Sequence, residues 1–274
     1  MAATPLCPGA FALAAEDPAA AERLTDAQEI LLGRRFAAAF EAESPILSNP
    51  LIDQRVNQVA RELAAVSRRP TLPYHVKVLD LSGMNAVSLP GGPIYIHRGM
   101  LEALETEDEL AAVLAHEIGH IVARHALRQI FFALRAQALL KPLLEELARQ
   151  NKALEGILQQ LGGAVALLAR LSFAPHDELE ADHLGVTEML RADWDPRGFL
   201  TLLAALQARE SAAAPTDQPL LRTHPVTTDR IAAIQRELAS ITIPEDARTD
   251  SLEFRACKQA LLLLGSHPAG PHGL

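Results

Sequence analysis

The feature that most constrains this chain is a five-residue word, His116-Glu117-Ile118-Gly119-His120, set in a strongly helical stretch. Thr106-Glu107-Asp108-Glu109 reads as a capping box, and Leu110, Val113, Leu114, Ile118, Ile121 and Val122 keep helical spacing through the motif. At about 100° per residue, His116 and His120 lie about 40° apart and one turn along the same face, so both imidazoles can reach one metal ion. Glu117 falls about 100° from His116 and about 60° from His120, close enough to act beside the metal without ligating it. The pattern is that of a zinc peptidase: zinc brings the pKa of its water towards neutrality, and a carboxylate takes the proton as the water attacks a peptide carbonyl. Gly119 costs about 1 kcal/mol relative to Ala inside a helix, which implies that something packs or binds close to the backbone there.

A catalytic zinc needs three protein ligands and one open position. The extended pattern with Gly and His at fixed offsets is excluded, because Ala123 and Ala126 stand at those places. Downstream lies Asp177-Glu178-Leu179-Glu180-Ala181-Asp182. On a helix, Glu178 and Asp182 share a face while Glu180 points roughly opposite. That supplies one carboxylate for the metal and a second to hold a ligand His by its free ring N–H.

His116-Glu-Ile-Gly-His120, Glu178-Leu-Glu-Ala-Asp182, and Thr223-His224-Pro225 with Arg230 five residues beyond follow one another in that order. Together they resemble the signatures of the HtpX, CAAX prenyl protease and BepA-like metallopeptidases. Asn85-Ala86 through Leu89-Pro90-Gly91-Gly92-Pro93-Ile94-Tyr95-Ile96 is similar to the strand pair that precedes the metal helix in that family. The resemblance covers most of the chain and implies an α+β, predominantly helical, zincin-like fold with a small sheet beside the metal helix. It implies His116, His120 and Glu178 on one Zn2+ per chain, Glu117 as general base, Asp182 behind a ligand His, and His224 and Arg230 near the metal. It leaves His224 two roles, hydrogen-bonding the developing oxyanion or occupying the open zinc position as a latch, with loss of activity expected for His224→Ala. Family members often carry Ser-Arg before the Glu-containing helix, where this chain has Ala174-Pro175.

With 274 residues, 49% hydrophobic but only 4% aromatic, the chain can bury a sizeable Ala/Leu-built core. A net charge of −9 argues against nucleic acid. Leu154 to Leu171 is the most apolar run, yet Glu155, Gln159, Gln160 and Arg170 break it, so it fits a soluble enzyme better than a bilayer span. Ala12-Leu13-Ala14 resembles the cleavage end of a secretory signal without a basic n-region, so residues 1–24 read as a leader remnant or flexible N-terminus. Residues 25–250 then form the metallopeptidase domain, and 251–274 a C-terminal helix and flexible tail. Two cysteines, Cys7 and Cys257, are too few for a disulfide framework and do not settle the compartment.

Helices are expected from Thr25 to about Glu43, from Asn49-Pro50 to about Arg69, over much of 126–171, through Glu178, and near 197–210 and 225–240, with a break at Asp195-Pro196. Strands are expected at Tyr74–Leu79, Ala86–Leu89 and Ile94–His97, and an exposed edge at Asn85-Ala86 would offer main-chain hydrogen bonds to an extended peptide. Ile130–Leu147 is amphipathic, suited first to core packing and second to peripheral contact with a lipid surface. His125, about 180° round a continued helix from His116, is expected at the surface, and His75, His97, His176 and His183 take ordinary roles. These readings point to a zinc endopeptidase acting on extended or unfolded polypeptide, periplasmic or otherwise exported, with cytoplasmic residence as the alternative. The competing class is a quality-control or assembly factor that binds such chains through the same groove and hydrolyses slowly.

Overall fold

The computed structural model describes residues 23–133, 173–212 and 223–265. Helix α1 (Asp26–Glu43) starts where Thr25 caps it, its hydroxyl accepting from Gln28 N–H and Gln28 Oε1 accepting from Thr25 N–H at 2.9 Å. Helix α2 (Pro50–Val66) starts at Asn49, whose side-chain oxygen accepts from Leu51 and Ile52 N–H, with Pro50 supplying the fixed φ of a first turn. Its Ile52, Val56, Val59, Ala60 and Leu63 form one buried stripe against the sheet and the metal helix.

Four strands, β1 (Ile46–Leu47), β2 (His75–Leu79), β3 (Ala86–Ser88) and β4 (Pro93–His97), form a mixed sheet in the order β1-β2-β4-β3. β2 and β4 run parallel, and β3 returns antiparallel to β4 with Val87 opposite Tyr95. His97 N–H donates to Asn85 O and Leu89 N–H to Pro93 O, so residues 85, 87 and 89 turn their backbone groups to β4. By antiparallel alternation, those of Ala86 and Ser88 face the outer edge. The hairpin turns at Gly91 and Gly92, with φ of 78° and 126°.

Short helix α3 (Arg98–Ala103) leads into α4 (Glu107–Val122), which carries the His-Glu-x-x-His word and is buried from 107 to 121. The Glu109 carboxylate accepts the N–H of Glu105 at 2.7 Å and of Thr106 at 3.5 Å, closing its first turn. Helix α5 (Pro175–Arg191) packs along α4, and α6 (Gly198–Ala212), α7 (Thr228–Ser240) and α8 (Leu252–Leu263) follow. Phe254, Cys257 and Leu261 of α8 lie in the same apolar cluster as α2 and α4. Buried Glu29 of α1 holds three segments together. Its carboxylate meets Arg69 Nη2 at 2.7 Å and Arg124 Nε at 3.0 Å, and it accepts Gly91 N–H at 3.0 Å.

The expected helices and strands appear within a few residues of their ends wherever they are described. Two small elements, β1 and α3, were not among the expectations. Two residues are too few to show alternation, and α3 has no side-chain cap at His97. His125 is corrected outright: it is fully buried rather than at the surface. α4 stops at Val122 and Arg124 takes a φ of 59°, so the helical residues 125–133 start on a new axis and the count from His116 does not carry over. Residues 1–22, the apolar stretch beyond 133 that includes Leu154–Leu171 and most of the amphipathic segment, and the tail beyond 265 lie outside the described residues. Among the described residues, no helix is long and apolar enough to cross a membrane.

Gly119 shows why α4 gives up helix propensity. A Cβ there would stand 2.7 Å from Ala181 O of α5, and one at Gly185 would stand 2.6 Å from the Phe199 ring. Gly119→Ala should therefore lower thermal stability, by about 1–3 kcal/mol, although the same change in an exposed helix raises it. A melting curve showing stabilisation would contradict this close packing.

Candidate metal centre

Helices α4 and α5 and the segment before α7 bring four donor side chains together: His116, His120, Glu178 and His224, all buried, with ligand atoms within 4.8 Å of one another. His116 Nε2 and His120 Nε2 are 3.0 Å apart, and Glu178 lies 3.5 Å from the first and 3.4 Å from the second. A tetrahedral zinc with bonds of 2.0–2.2 Å has edges of about 3.3–3.6 Å between its ligands; the two distances to the Glu178 oxygens fall in that range and the His116–His120 separation is shorter, so the three side chains are close enough to share one ion. His224 Nδ1 stands 3.2 Å from His116 Nε2 and 3.0 Å from Glu178 Oε1, inside the same cluster. The donor set suits zinc, with nitrogen and carboxylate oxygen in short reach and no sulfur.

His116 is oriented by Asp182, whose Oδ1 accepts from its Nδ1 at 2.9 Å, and this leaves Nε2 with a lone pair aimed into the cluster. Asp182 is in turn held by Arg230, with Nε and Nη2 each at 2.7 Å. Arg230 Nη1 donates to Pro225 O and lies 2.7 Å from Glu178 Oε2, off the hydrogen-bonding line, as an ion pair. Burial opposes charge on His116, but its hydrogen bond to Asp182 and the Glu178 carboxylate beside it outweigh burial and push its pKa up to about 9. Burial also opposes ionising Glu178, yet the imidazoles of His224, His116 and His120 packed around it hold it well below the usual carboxylate range. His120 is the opposite case, driven below its ordinary value chiefly by burial.

Glu117 lies next to this group, 1% exposed, with Oε1 3.7 Å from His224 Nε2 and Oε2 without a hydrogen-bond partner. It lines a cavity of about 30 Å³ with Ala86 of the edge strand and the apolar side chains of Val113, Phe199, Leu202 and Leu206. Asn85 precedes that strand, its backbone oxygen accepting from His97 N–H. Glu180 points away, 47% exposed at its side chain, and pairs with His125 and Arg128.

Two further side chains touch the donors. Phe173 stacks on His120 with ring centroids 4.0 Å apart, and His125 meets His120 Nδ1 at 2.8 Å. Neither carries a sequence signal of its own, since Phe173 lies beyond a long intervening segment and His125 beyond the end of α4.

The model of peptidase family M48 matches residues 50–238, more than half of the chain. The chain belongs to peptidase family M48. It is 28% identical over 220 residues to the beta-barrel assembly-enhancing protease of Escherichia coli (strain K12), covering 78% of this chain and 44% of that one. The counterpart from Yersinia pestis is 29% identical over 214 residues, 75% of this chain and 43% of the relative. The mitochondrial metalloendopeptidase OMA1 of Schizosaccharomyces pombe is 32% identical over 191 residues, 70% and 54% respectively. The chain thus spans about half the length of these curated relatives. What it shares with them is the M48 domain, a zinc metallopeptidase unit, and the buried His/Glu cluster fits that metal.

Within this M48 domain, Arg230 is the counter-charge to two buried carboxylates. Arg230→Ala should lower unfolding free energy by about 3–5 kcal/mol and unseat the His224-Pro225 segment, because Asp182 and Glu178 lose their cation together. Urea denaturation checks this, and a change under about 1 kcal/mol would show that the network does not depend on Arg230.

Proposed function

We propose that this chain is a zinc-dependent metalloendopeptidase that cuts extended, unfolded polypeptide, with His116, His120 and Glu178 on the metal and Glu117 as general base. The observation that carries this reading is Glu117: a buried carboxylate with an unpartnered oxygen, beside a His/Glu donor set and in a cavity that reaches Ala86 of the outermost described strand. Zinc held there supplies Lewis-acid chemistry and brings a water's pKa towards neutral. Glu117 accepts the proton as the water attacks, and later returns it to the leaving amine. Ala86 and Ser88 turn their backbone groups to the outer side of the sheet, and although both are buried in this structure, uncovering them would let an extended substrate add as a strand. Val113, Phe199, Leu202 and Leu206 would receive an apolar side chain next to the cut bond and keep bulk water from it.

An envelope quality-control setting suits a chain similar to proteases named for beta-barrel assembly, and a periplasmic or otherwise exported location is part of the proposal. The mitochondrial name of another relative makes compartment a separate question from chemistry. Glu117→Gln should keep zinc and lose nearly all hydrolysis of an unfolded test protein, while still binding it. Wild-type turnover by this variant would sink the mechanism.

A second reading, an assembly or quality-control factor with latent proteolysis, is favoured by one feature. His224 Nδ1 lies 3.0 Å from Glu178 Oε1 and 3.2 Å from His116 Nε2, inside the donor set, and a fourth protein ligand there would take the open position that hydrolysis needs. This geometry supports the latch over the oxyanion role and reverses the sign expected from the sequence. His224→Ala should retain zinc on three donors, more weakly, and raise the rate of hydrolysis. A fall in kcat with zinc retained would return His224 to the oxyanion role, and unchanged kinetics would leave it neither.

A further inference from the structure

The two histidines of the metal helix are held differently. His116 gives its Nδ1 hydrogen directly to a carboxylate, Asp182. The Nδ1 of His120 faces another imidazole, with His125 Nδ1 at 2.8 Å, and the far nitrogen of that ring, Nε2, lies 3.1 Å from Glu180 Oε2 and 3.3 Å from Asp177 Oδ1. Both rings are fully buried.

Counting hydrogens fixes their direction. Ionised carboxylates only accept, so His125 carries its hydrogen on Nε2 and gives it to Glu180 and Asp177. A neutral His125 then has a bare Nδ1, which can only receive the hydrogen on His120 Nδ1. That leaves His120 Nε2 with its lone pair, 3.0 Å from His116 Nε2 and 3.4 Å from Glu178 Oε1, in the middle of the donor cluster.

We propose that His125 is a positioning residue that fixes the tautomer and ring angle of His120 and relays to it the negative charge of Asp177 and Glu180. This rests on the reading that His120 binds zinc. The relay is anchored at both ends. Asp177 accepts Ala174 N–H at the start of α5 and meets Arg128 Nη2 at 3.0 Å, while Phe173 stacked at 4.0 Å and 28° sets the plane of the His120 ring. His125, Asp177 and Glu180 also have the composition of a second cation site. Two features argue against it: His125 Nδ1 is already engaged by His120, and the Arg128 guanidinium occupies the acidic side of the cluster.

The test is a zinc competition titration of the metal-stripped full chain against a chelator, with thermal melts as the folding control. Wild type is expected to bind one zinc and His120→Ala to lose it; zinc retained by His120→Ala would overturn the ligand reading, and this proposal with it. His125→Leu is expected to weaken zinc by about 10- to 100-fold and to shift the d–d bands of the cobalt-substituted protein. His125→Gln, whose amide both accepts and donates, is expected to restore the spectrum and stay within about threefold of wild type. Unchanged affinity in His125→Leu, a Gln variant as weak as Leu, or a second zinc per chain lost on mutating His125 would each overturn the proposal. If His125→Leu does not fold, the double variant Asp177→Asn/Glu180→Gln removes the anchoring charge without touching His120. It is expected to lose about tenfold in zinc affinity, and no loss there overturns the proposal equally.

Discussion

The close approach of α4 and α5 is the constraint on which the rest depends. Backbone meets backbone where Gly119 faces Ala181 and Gly185 faces the Ala115–His116 peptide, and nothing larger fits at either crossing. That contact places His116, Glu117 and His120 within reach of Glu178 and Asp182, two carboxylates that would each cost several kcal/mol if buried without partners. Arg230, from the first turn of α7, meets both, so the third helix is drawn in by charge as much as by apolar packing.

The remainder of the fold positions this core for chemistry. The sheet sets its outermost strand, β3, beside α4, and α6 supplies the apolar wall of the cavity beside Glu117. Behind the site, Glu29 joins α1, the Gly91 turn and the end of α4 through Arg69 and Arg124, which holds the chain where it leaves the metal helix and turns towards His125. His116 thereby meets a carboxylate directly, and His120 meets a second ring that itself faces two carboxylates.

What the sequence made legible were contacts with a local period. The i, i+4 spacing of His116 and His120 and of Glu178 and Asp182 predicted which side chains share a face, and the exposed side chain of Glu180 is where that count puts it. Glycine in a helical run marked the crossing point before any partner for it was known. Legibility ended where the backbone left regular geometry. One residue at positive φ, Arg124, turned an expected surface histidine into a buried partner of His120. Phe173 and the placement of His224 against His116 and Glu178 are tertiary contacts, which no period within the chain encodes.

The central claim is that one zinc sits between α4 and α5, bound by Glu178 and not by Glu180. Titrating zinc into the metal-stripped chain while following hydrolysis of an unfolded protein tests it most directly. The account predicts activity that saturates at one equivalent per chain, survives in Glu180→Ala, and is lost together with zinc affinity in Glu178→Ala. Zinc lost in Glu180→Ala but kept in Glu178→Ala, or hydrolysis indifferent to the metal, would contradict it.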